Sequence, residues 1–330
     1  MNATINLEKH FPVLLNELVS IISPLYGGTF IDCTFGGGSY SEKILEEVTN
    51  NVIALDRDPC VKNVAAKFHL KYKKRFKFYN LKFSNINQVK KDNVKAIIFD
   101  LGYSLNQISD LSRGLSFKSK GKLDMRMGLN DFSCDKVITK MSQQNLYKIF
   151  KYFGEEKYAK PISKKIVKLR DNKKIDTENL VEIIESIKKK KSGKNNSTKI
   201  FQALRIFVNK EISELINGLI NAYNILPIGG LIAVVTFHSI EDKIVKFFFK
   251  EYSEVRNSSR YLPNNILVKK YFDQTKKKPI IPSFNEVKLN PPSRSAKLRF
   301  AYKLDNGCDF KNFVNNFSYL RDVENLNFDV

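Results

Sequence analysis

Between residues 28 and 100 the chain carries four short apolar runs, each closed by turn chemistry and followed by more polar sequence. They are "GTFIDCT" ending at Thr34, "NVIALD" ending at Asp56, "FKFYN" ending at Asn80 and "KAIIFD" ending at Asp100. Runs that are apolar at nearly every position suit strands covered on both faces, and helix-length stretches between them make the strands parallel. Residues 40–49 and 60–72 supply two such helices. The alternation then stops. The next buried-strand signal, "GGLIAVVTF" at 229–237, comes about 130 residues after Asp100, far more than a crossover helix and two short loops require. The surplus reads as helical.

The expected fold class is therefore α/β and Rossmann-like: a doubly wound, mostly parallel sheet built from residues 1–110 and 203–330, with an all-helical domain inserted at 111–202. Residues 199–223 read as one long amphipathic helix leading back to the sheet. Ser239 is expected to cap the helix after the fifth strand, with Asp242 in capping-box position. "SAKLRFAYKL" (295–304) alternates strictly, which predicts a half-buried antiparallel closing strand. Its polar face, with Arg294, Lys297 and Arg299, is expected to form a phosphate stripe.

Composition narrows the partners. The longest uninterrupted apolar run, Leu231 to Val235, is far too short to span a bilayer, and the opening "MNATINLEKHFPVL" lacks the layout of a signal peptide. A cytosolic protein without a membrane partner is expected. Four scattered cysteines (Cys33, Cys60, Cys134, Cys308) and three histidines (His10, His69, His238) show no ligand spacing, so neither a disulfide scaffold nor a metal site is expected. The net charge of +22 favours a polyanionic partner, although 45 Lys against 11 Arg also reflects a general compositional bias. Residues 151–199 hold 15 basic and 7 acidic side chains, and "KKKKSGKNNSTK" (188–199) reads as an RNA finger or a solvated linker. In a chain this rich in Lys, an Arg marks places that need a planar fork: Arg57, Arg113, Arg126, Arg205, Arg294 and Arg299.

The first apolar run ends in "DCTFGGGSYS", residues 32–41. A P-loop would need G-x-x-x-x-G-K-[ST], which is absent, and a dinucleotide fingerprint would want glycine where Ser41 stands. Asp32 before the glycines, and Asp56 twenty positions after Gly36, fit a third ligand, S-adenosylmethionine, with Asp56 on the ribose. A tight turn packed on a helix would use the same glycines.

More specific blocks follow one another in order: "HFPVLLNE" (10–17), "DCTFGGGSY" (32–40), "LDRDP" (55–59), "DLGYSLNQ" (100–107), "RGLSF" (113–117), "LDMRM" (123–127), "FGEE" (153–156), "FQALRIFVNKE" (201–211), "FHSIEDKIVK" (237–246) and "NPPSRSAKLR" (290–299). Together they resemble the bacterial small-subunit rRNA (cytosine-N4)-methyltransferases, the RsmH or MraW family. The resemblance implies S-adenosylmethionine as cofactor, its methionine over Gly38, Ser39 and Tyr40, its ribose on Asp56 and its adenine beside Phe83. Asp100 and Gln107 would flank the point where donor and acceptor meet, with Asp100 as candidate catalytic group on the cytosine amine. Arg113, Arg126, His238, Arg294, Lys297 and Arg299 become candidate substrate contacts, with "LDMRM" also readable as plain structure. The implied partner is 16S rRNA within the small ribosomal subunit, in its decoding centre, and a homodimer is allowed. Departures from the family pattern are Ser39 and Leu105 for glycine and serine, Leu115 for phenylalanine, and "NNSTK" before the "FQALRI" helix, which leaves Lys199 as that loop's cation. Two rival readings remain at this point: a methyltransferase acting on another nucleic acid, and a non-catalytic ribosome-assembly protein with a degenerate loop. "NPPS" (290–293) reads as a turn entering the last strand.

Overall fold

The computed structural model describes residues 12–188, 196–254 and 269–328. Residues 189–195 of the basic loop, and His10 and Phe11 of the opening block, lie outside the described residues. Contacts divide the chain into two units: Met1–Asp56, Cys60–Leu105 and Leu219–Phe310 in one, Arg57–Pro59, Asn106–Gly218 and Lys311–Val330 in the other.

The first unit is built on seven strands: β1 (Thr29–Asp32), β2 (Asn51–Asp56), β3 (Phe76–Asn80), β4 (Val94–Asp100), β5 (Leu231–Thr236), β6 (Phe272–Asp273) and β7 (Lys297–Lys303). Their spatial order is β3-β2-β1-β4-β5-β7-β6. The first five named strands pair in parallel and β7 runs antiparallel to both β5 and β6. This is the doubly wound, Rossmann-like sheet that the apolar runs predict. Sequential strands leave β1 in opposite directions, toward β2 and toward β4, so a crevice opens at their carboxyl ends. One sheet face is filled by Phe30, Ala54, Ile98, Val235 and Leu298, all buried.

The closing strand differs from its expected half-buried form. β7 is buried at five of its seven positions, because it is an interior strand and helix Ser239–Ser253 packs on its second face. Arg299 is 5% exposed, with Nε 2.7 Å from Asp242 Oδ1 and Nη1 donating to the Lys277 carbonyl. Lys297 Nζ donates to the other oxygen of Asp242 at 2.8 Å. Burial pushes the Asp242 carboxyl up, but Arg299 and Lys297 together more than offset it and hold it below its ordinary range. Arg299 and Lys297 are thus both engaged with Asp242, and Arg294 of the expected stripe is exposed with no such partner among the described residues. Lys303 is buried as well. Its Nζ donates to the carbonyls of Tyr223 and Leu226, at 2.8 and 2.7 Å, where a helix ends, and it lies over the Tyr223 ring.

Two helix boundaries also move. His238, not Ser239, caps helix Ser239–Ser253: Glu241 N–H donates to the ring Nδ1, and Glu241 Oε2 accepts from the His238 amide. The expected box is therefore displaced by one residue, because Glu241 sits three positions past the true cap. The single helix expected at 199–223 is two, Thr198–Asn209 and Glu211–Ile225, broken at Lys210 in the left-handed region (φ 50, ψ 44).

The second unit is helical, and it is longer than the expected insert because it reaches Gly218 and includes the C-terminal tail. Helix Thr198–Asn209 is buried at nine of its positions, which ties it to the helices around it. Asn209 is 2% exposed and fully bonded: Nδ2 to the carbonyls of Met125 and Arg205, Oδ1 from Met127 N and Asn130 Nδ2. "LDMRM" packs as its structural reading expects, with the Arg126 side chain remaining partly exposed. Leu123, Met125 and Met127 are buried, Met125 has φ 58, and Arg126 forks onto Asp124.

The tail forms helices Lys311–Asn316 and Ser318–Glu324. Glu324, 1% exposed, accepts from the Ile212 and Ser213 amides at 2.7 and 2.9 Å and so caps a helix start. Burial nevertheless pushes its carboxyl up to about 7. Between its ordinary 4.5 and that value, the folded chain keeps a proton the unfolded chain releases, so stability falls as pH rises across the window and levels above it. Glu324→Gln, which keeps an accepting oxygen, is expected to make the urea-unfolding free energy less pH-dependent between pH 5 and 7. An unchanged slope would mean that Glu324 does not titrate there.

Candidate active site

Three strand-final aspartates meet the crevice: Asp32 closes β1, Asp56 closes β2 and Asp100 closes β4. Asp32 is 1% exposed, its Oδ1 accepting from Thr34 N–H and its Oδ2 from Ser41 Oγ at 2.7 Å. It therefore braces the glycine loop from below. Burial pushes its carboxyl up, against the pull of those hydrogen bonds. Asp56 Oδ2 accepts from Gly36 N–H at 2.8 Å, and the Asp56 carbonyl accepts from Asn80 and Leu81. The loop is thus fastened to β2 as well as to β1.

The glycines have separate reasons. Gly38 has φ 81, and a Cβ there would lie 2.6 Å from the Phe68 ring and 2.9 Å from Phe35, so no side chain fits. Those rings stack edge-on 5.1 Å apart, with Phe76 and Phe78 beside Phe35. A Cβ on Gly37 would meet nothing within 4 Å, so at that position bare backbone faces open space. Ser39 begins helix Ser39–Leu45 and is not among the residues with positive φ. The left-handed residue is its neighbour, Gly38, so the departure at Ser39 needs no glycine freedom. Tyr40 is buried and its hydroxyl donates to the Val13 carbonyl; its ring belongs to the core, leaving its backbone as the part at the loop.

Asp100 lies next to β1's end. Its N–H donates to Thr34 Oγ1 at 2.8 Å, a tie that closes the crevice floor between β1 and β4. Its Oδ1 is shut off from solvent and has no hydrogen-bond partner among the described residues. Burial, followed by the nearby Asp32 and Glu241 carboxylates, pushes its pKa well above the ordinary range. An orphaned, buried carboxylate oxygen at a crevice is a place made for a donor or a cation. Phe83, half-buried just past β3, packs edge-on against Phe99 at 5.3 Å. Bare backbone, an acid at the end of β2, a ring after β3 and an unpartnered acid at the end of β4 are the donor set a nucleoside sulfonium needs, and these residues fit one.

The other expected site residues have different surroundings. Gln107 is buried in the helical unit, with Nε2 donating to Asp58 Oδ2 and the Met127 carbonyl. Arg113 forks onto Asp58 at 2.6 and 3.3 Å and also meets Asp110, so it is engaged within its own unit. His238 is largely buried as a helix cap, its Nε2 3.0 Å from Glu241 Oε1 without forming a hydrogen bond. Lys199 Nζ donates to the Glu155 carbonyl. Leu115 is buried; Leu105 opens the short helix Leu105–Ser109. Thr34 is not evident from the sequence as part of this crevice, yet it fixes the Asp100 backbone, and the Glu241 carboxylate helps to raise the Asp100 carboxyl. The only sequence signal for Thr34 is its place in "DCTFG".

Ser39→Gly is expected to leave affinity for S-adenosylhomocysteine within about 2-fold in calorimetry and to cost at most about 1 kcal/mol of stability, the ordinary penalty of glycine in a helix. A large gain in affinity would show that Ser39 impairs the loop.

The MraW methylase family matches residues 7–304. Ribosomal RNA small subunit methyltransferase H of Rickettsia bellii is 40% identical over 303 residues, covering 90% of this chain and 99% of that protein. The protein of the same name from Rickettsia akari is 39% identical over 304 residues, covering 90% and 99%. That of Bartonella quintana is 39% identical over 304 residues, covering 91% of each.

Proposed function

The chain belongs to the MraW methylase family, and we propose that it transfers a methyl group from S-adenosylmethionine to the N4 amine of a cytosine in the decoding centre of 16S rRNA. The relatives' activity on small-subunit rRNA supports the substrate, and the net charge of +22 suits a polyanion. The observation that carries the chemistry is the orphaned Oδ1 of Asp100, at the carboxyl end of β4 beside the glycine loop. Small subunits are the expected form of the substrate, which makes the enzyme cytosolic. Among the described residues no helix is long and apolar enough to cross a membrane.

When bound, the cofactor supplies an already activated methyl on a sulfonium, so the reaction is an in-line displacement. The protein's work lies with the acceptor. The loop backbone at Gly37 and Gly38 would lie along the methionine part, Asp56 would take the ribose hydroxyls and Phe83 would cover the adenine. The exocyclic amine of cytosine is a poor nucleophile because its lone pair is conjugated into the ring. A target base must be unstacked to enter such a crevice, and the amine must be aimed and relieved of a proton late in the step. Asp100 suits that role, since one oxygen faces no competing donor and its backbone is fixed through Thr34. Held above the ordinary carboxylate range by burial, Asp32 and Glu241, it is a stronger base than an exposed aspartate once ionised.

The test is labelled methyl transfer to small subunits lacking the modification, with naked rRNA, tRNA and DNA alongside, and identification of the product nucleoside. N4-methylcytidine in the subunit lane is expected. Asp56→Ala is expected to weaken S-adenosylhomocysteine binding by about 10- to 100-fold, the range for losing hydrogen bonds to a charged group. Tight subunit binding without transfer would instead favour the non-catalytic assembly protein.

Asp100→Asn is expected to lower kcat by about 10²–10⁴-fold, the usual yield of a positioned base. Since the ionised form is the active one, kcat/KM in the wild type, which reports groups of the free enzyme, should rise with pH along a limb lying above the ordinary aspartate range, and the limb should vanish in the variant. An Asp100→Asn enzyme with unchanged kcat would remove Asp100 from the chemistry.

A further inference from the structure

Residues 59–91 contain ten basic side chains and no acid, and none of these charges takes part in the cofactor site described above. At its centre His69, Lys73, Lys74, Phe76 and Lys77 line an open depression of about 580 Å³. The structure sorts the cations here into two groups. Lys71 is paired with Glu42 at 2.7 Å, and Arg75 donates to the carbonyls of Leu45, Glu47 and Asn50, closing off the end of helix Ser39–Leu45. Lys73, Lys74 and Lys77 are exposed and form no ion pair among the described residues. Three ammonium groups without an ion-pair partner among the described residues therefore border one depression, which His69 and Phe76 also line, the His69 imidazole standing edge-on to the buried Phe76 ring at 5.4 Å.

A second, independent observation concerns the backbone. Lys73 follows helix Lys62–Tyr72 with φ 50 and ψ −122. That conformation belongs to glycine, and a lysine adopts it only under strain. Solvation alone does not account for a lysine here, since a glycine would make the same turn without strain. Protection of the sheet edge accounts only in part: β3 is the edge strand, and charged residues do guard such edges, but Lys73 and Lys74 precede the strand and only Lys77 lies on it.

The depression is at the opposite end of the sheet from the crevice. Phe76 pairs with Val52 and Asn80 with Asp56, so it lies about 13 Å along the strand from the cofactor carboxylate at the usual ~3.3 Å per residue. A ligand there would not compete with the cofactor.

We propose that Lys73, Lys74 and Lys77, with His69, form a docking site for the phosphate backbone of the substrate rRNA, remote from the methylated base. The inference rests on the rRNA reading above. A single target nucleotide offers few contacts, whereas a folded rRNA presents phosphates over a wide surface, and contacts of this kind position a substrate without reading its sequence. Ammonium groups on flexible stems suit phosphates, which they meet as point charges.

The experiment measures binding of wild type and a Lys73→Gln/Lys74→Gln/Lys77→Gln variant to a 16S rRNA transcript and to small subunits over a range of salt, together with methyl transfer and S-adenosylhomocysteine affinity. Expected are an affinity for rRNA lower by about 10-fold or more, and a salt slope shallower by about 2 to 3, near one per lost phosphate contact. KM for subunits should rise while kcat and S-adenosylhomocysteine affinity stay unchanged. Lys73→Gly supplies a variant that cannot be blamed on misfolding: it should equal or exceed wild type in thermal stability and still bind rRNA less tightly. Unchanged affinity and slope in the triple variant would overturn the proposal and leave the lysines as edge protection. Weaker binding to subunits with naked rRNA unaffected would overturn it too, in favour of an acidic ribosomal protein as the partner. If the wild type itself had no affinity for rRNA, the proposed function would fail along with the docking site; a wild type that binds and methylates beside an unaffected variant removes the docking site alone.

Discussion

Parallel strands that share a direction also share an end, and here that end gathers three carboxyl groups. Asp32, Asp56 and Asp100 each close a strand, so the topology itself creates a negative crevice. Three like charges at a partly desolvated edge are unfavourable unless each is handled differently. Asp32 is satisfied from within by Ser41 and the Thr34 amide, and Asp56 is tied to the glycine loop. Of the three, only Asp100 retains a buried oxygen without a hydrogen-bond partner among the described residues, and its carboxyl is held well above the ordinary range. The cost of that arrangement falls when a cation enters. A sulfonium with its neighbouring ammonium group would ease the very repulsion that the sheet builds in.

The glycine loop follows from the same constraint. A chain leaving β1 must turn over Asp32, reach Asp56 with a backbone amide and enter a helix at Ser39, while Phe35 is pulled into the aromatic cluster below. Only a residue without Cβ survives at Gly38, where the Phe35 and Phe68 rings occupy the space. The consecutive glycines of the sequence are thus a packing requirement at one position and an open approach at another. The change to serine falls just beyond both.

How much of this was legible in the sequence depended on whether one period governed each segment. Continuous apolar runs marked β1, β2, β4 and β5 because both sheet faces are covered there, whereas the edge strand β3 is buried only at Phe76; none of their boundaries needed a correction that affects the site. Alternation misled at β7: Lys297, Arg299 and Lys303 occupy the polar phase, yet that face is covered and each cation has been given an oxygen partner. Periodicity cannot see a buried ion pair, because it records polarity and not pairing. The break at Lys210 was hidden for a related reason. Apolar spacing continues across it, and a lysine in the left-handed region carries no marker of the kind a glycine would provide. The tail was unreadable because its one decisive act is the capping of residues 212 and 213 by Glu324, more than a hundred positions away.

The scarcity of arginine proved more informative than the abundance of lysine. Arg57, Arg113, Arg126, Arg205 and Arg299 all direct their guanidinium groups at carboxylates or carbonyls within the protein, where a flat fork with fixed donors is worth more than a point charge. Each of these forks therefore has a partner inside the protein, which is a reason for arginine at these positions that does not depend on substrate. Lysines divide differently. Lys303 and Lys188 are drawn into caps and buried pairs, while most others are solvated, so a lysine becomes informative only when its surroundings leave it uncompensated and the backbone is strained to keep it. Lys73 meets both conditions. Total charge makes a polyanion attractive everywhere on such a surface, but specificity of placement comes from where neutralising acids are missing, and residues 59–91 are such a place.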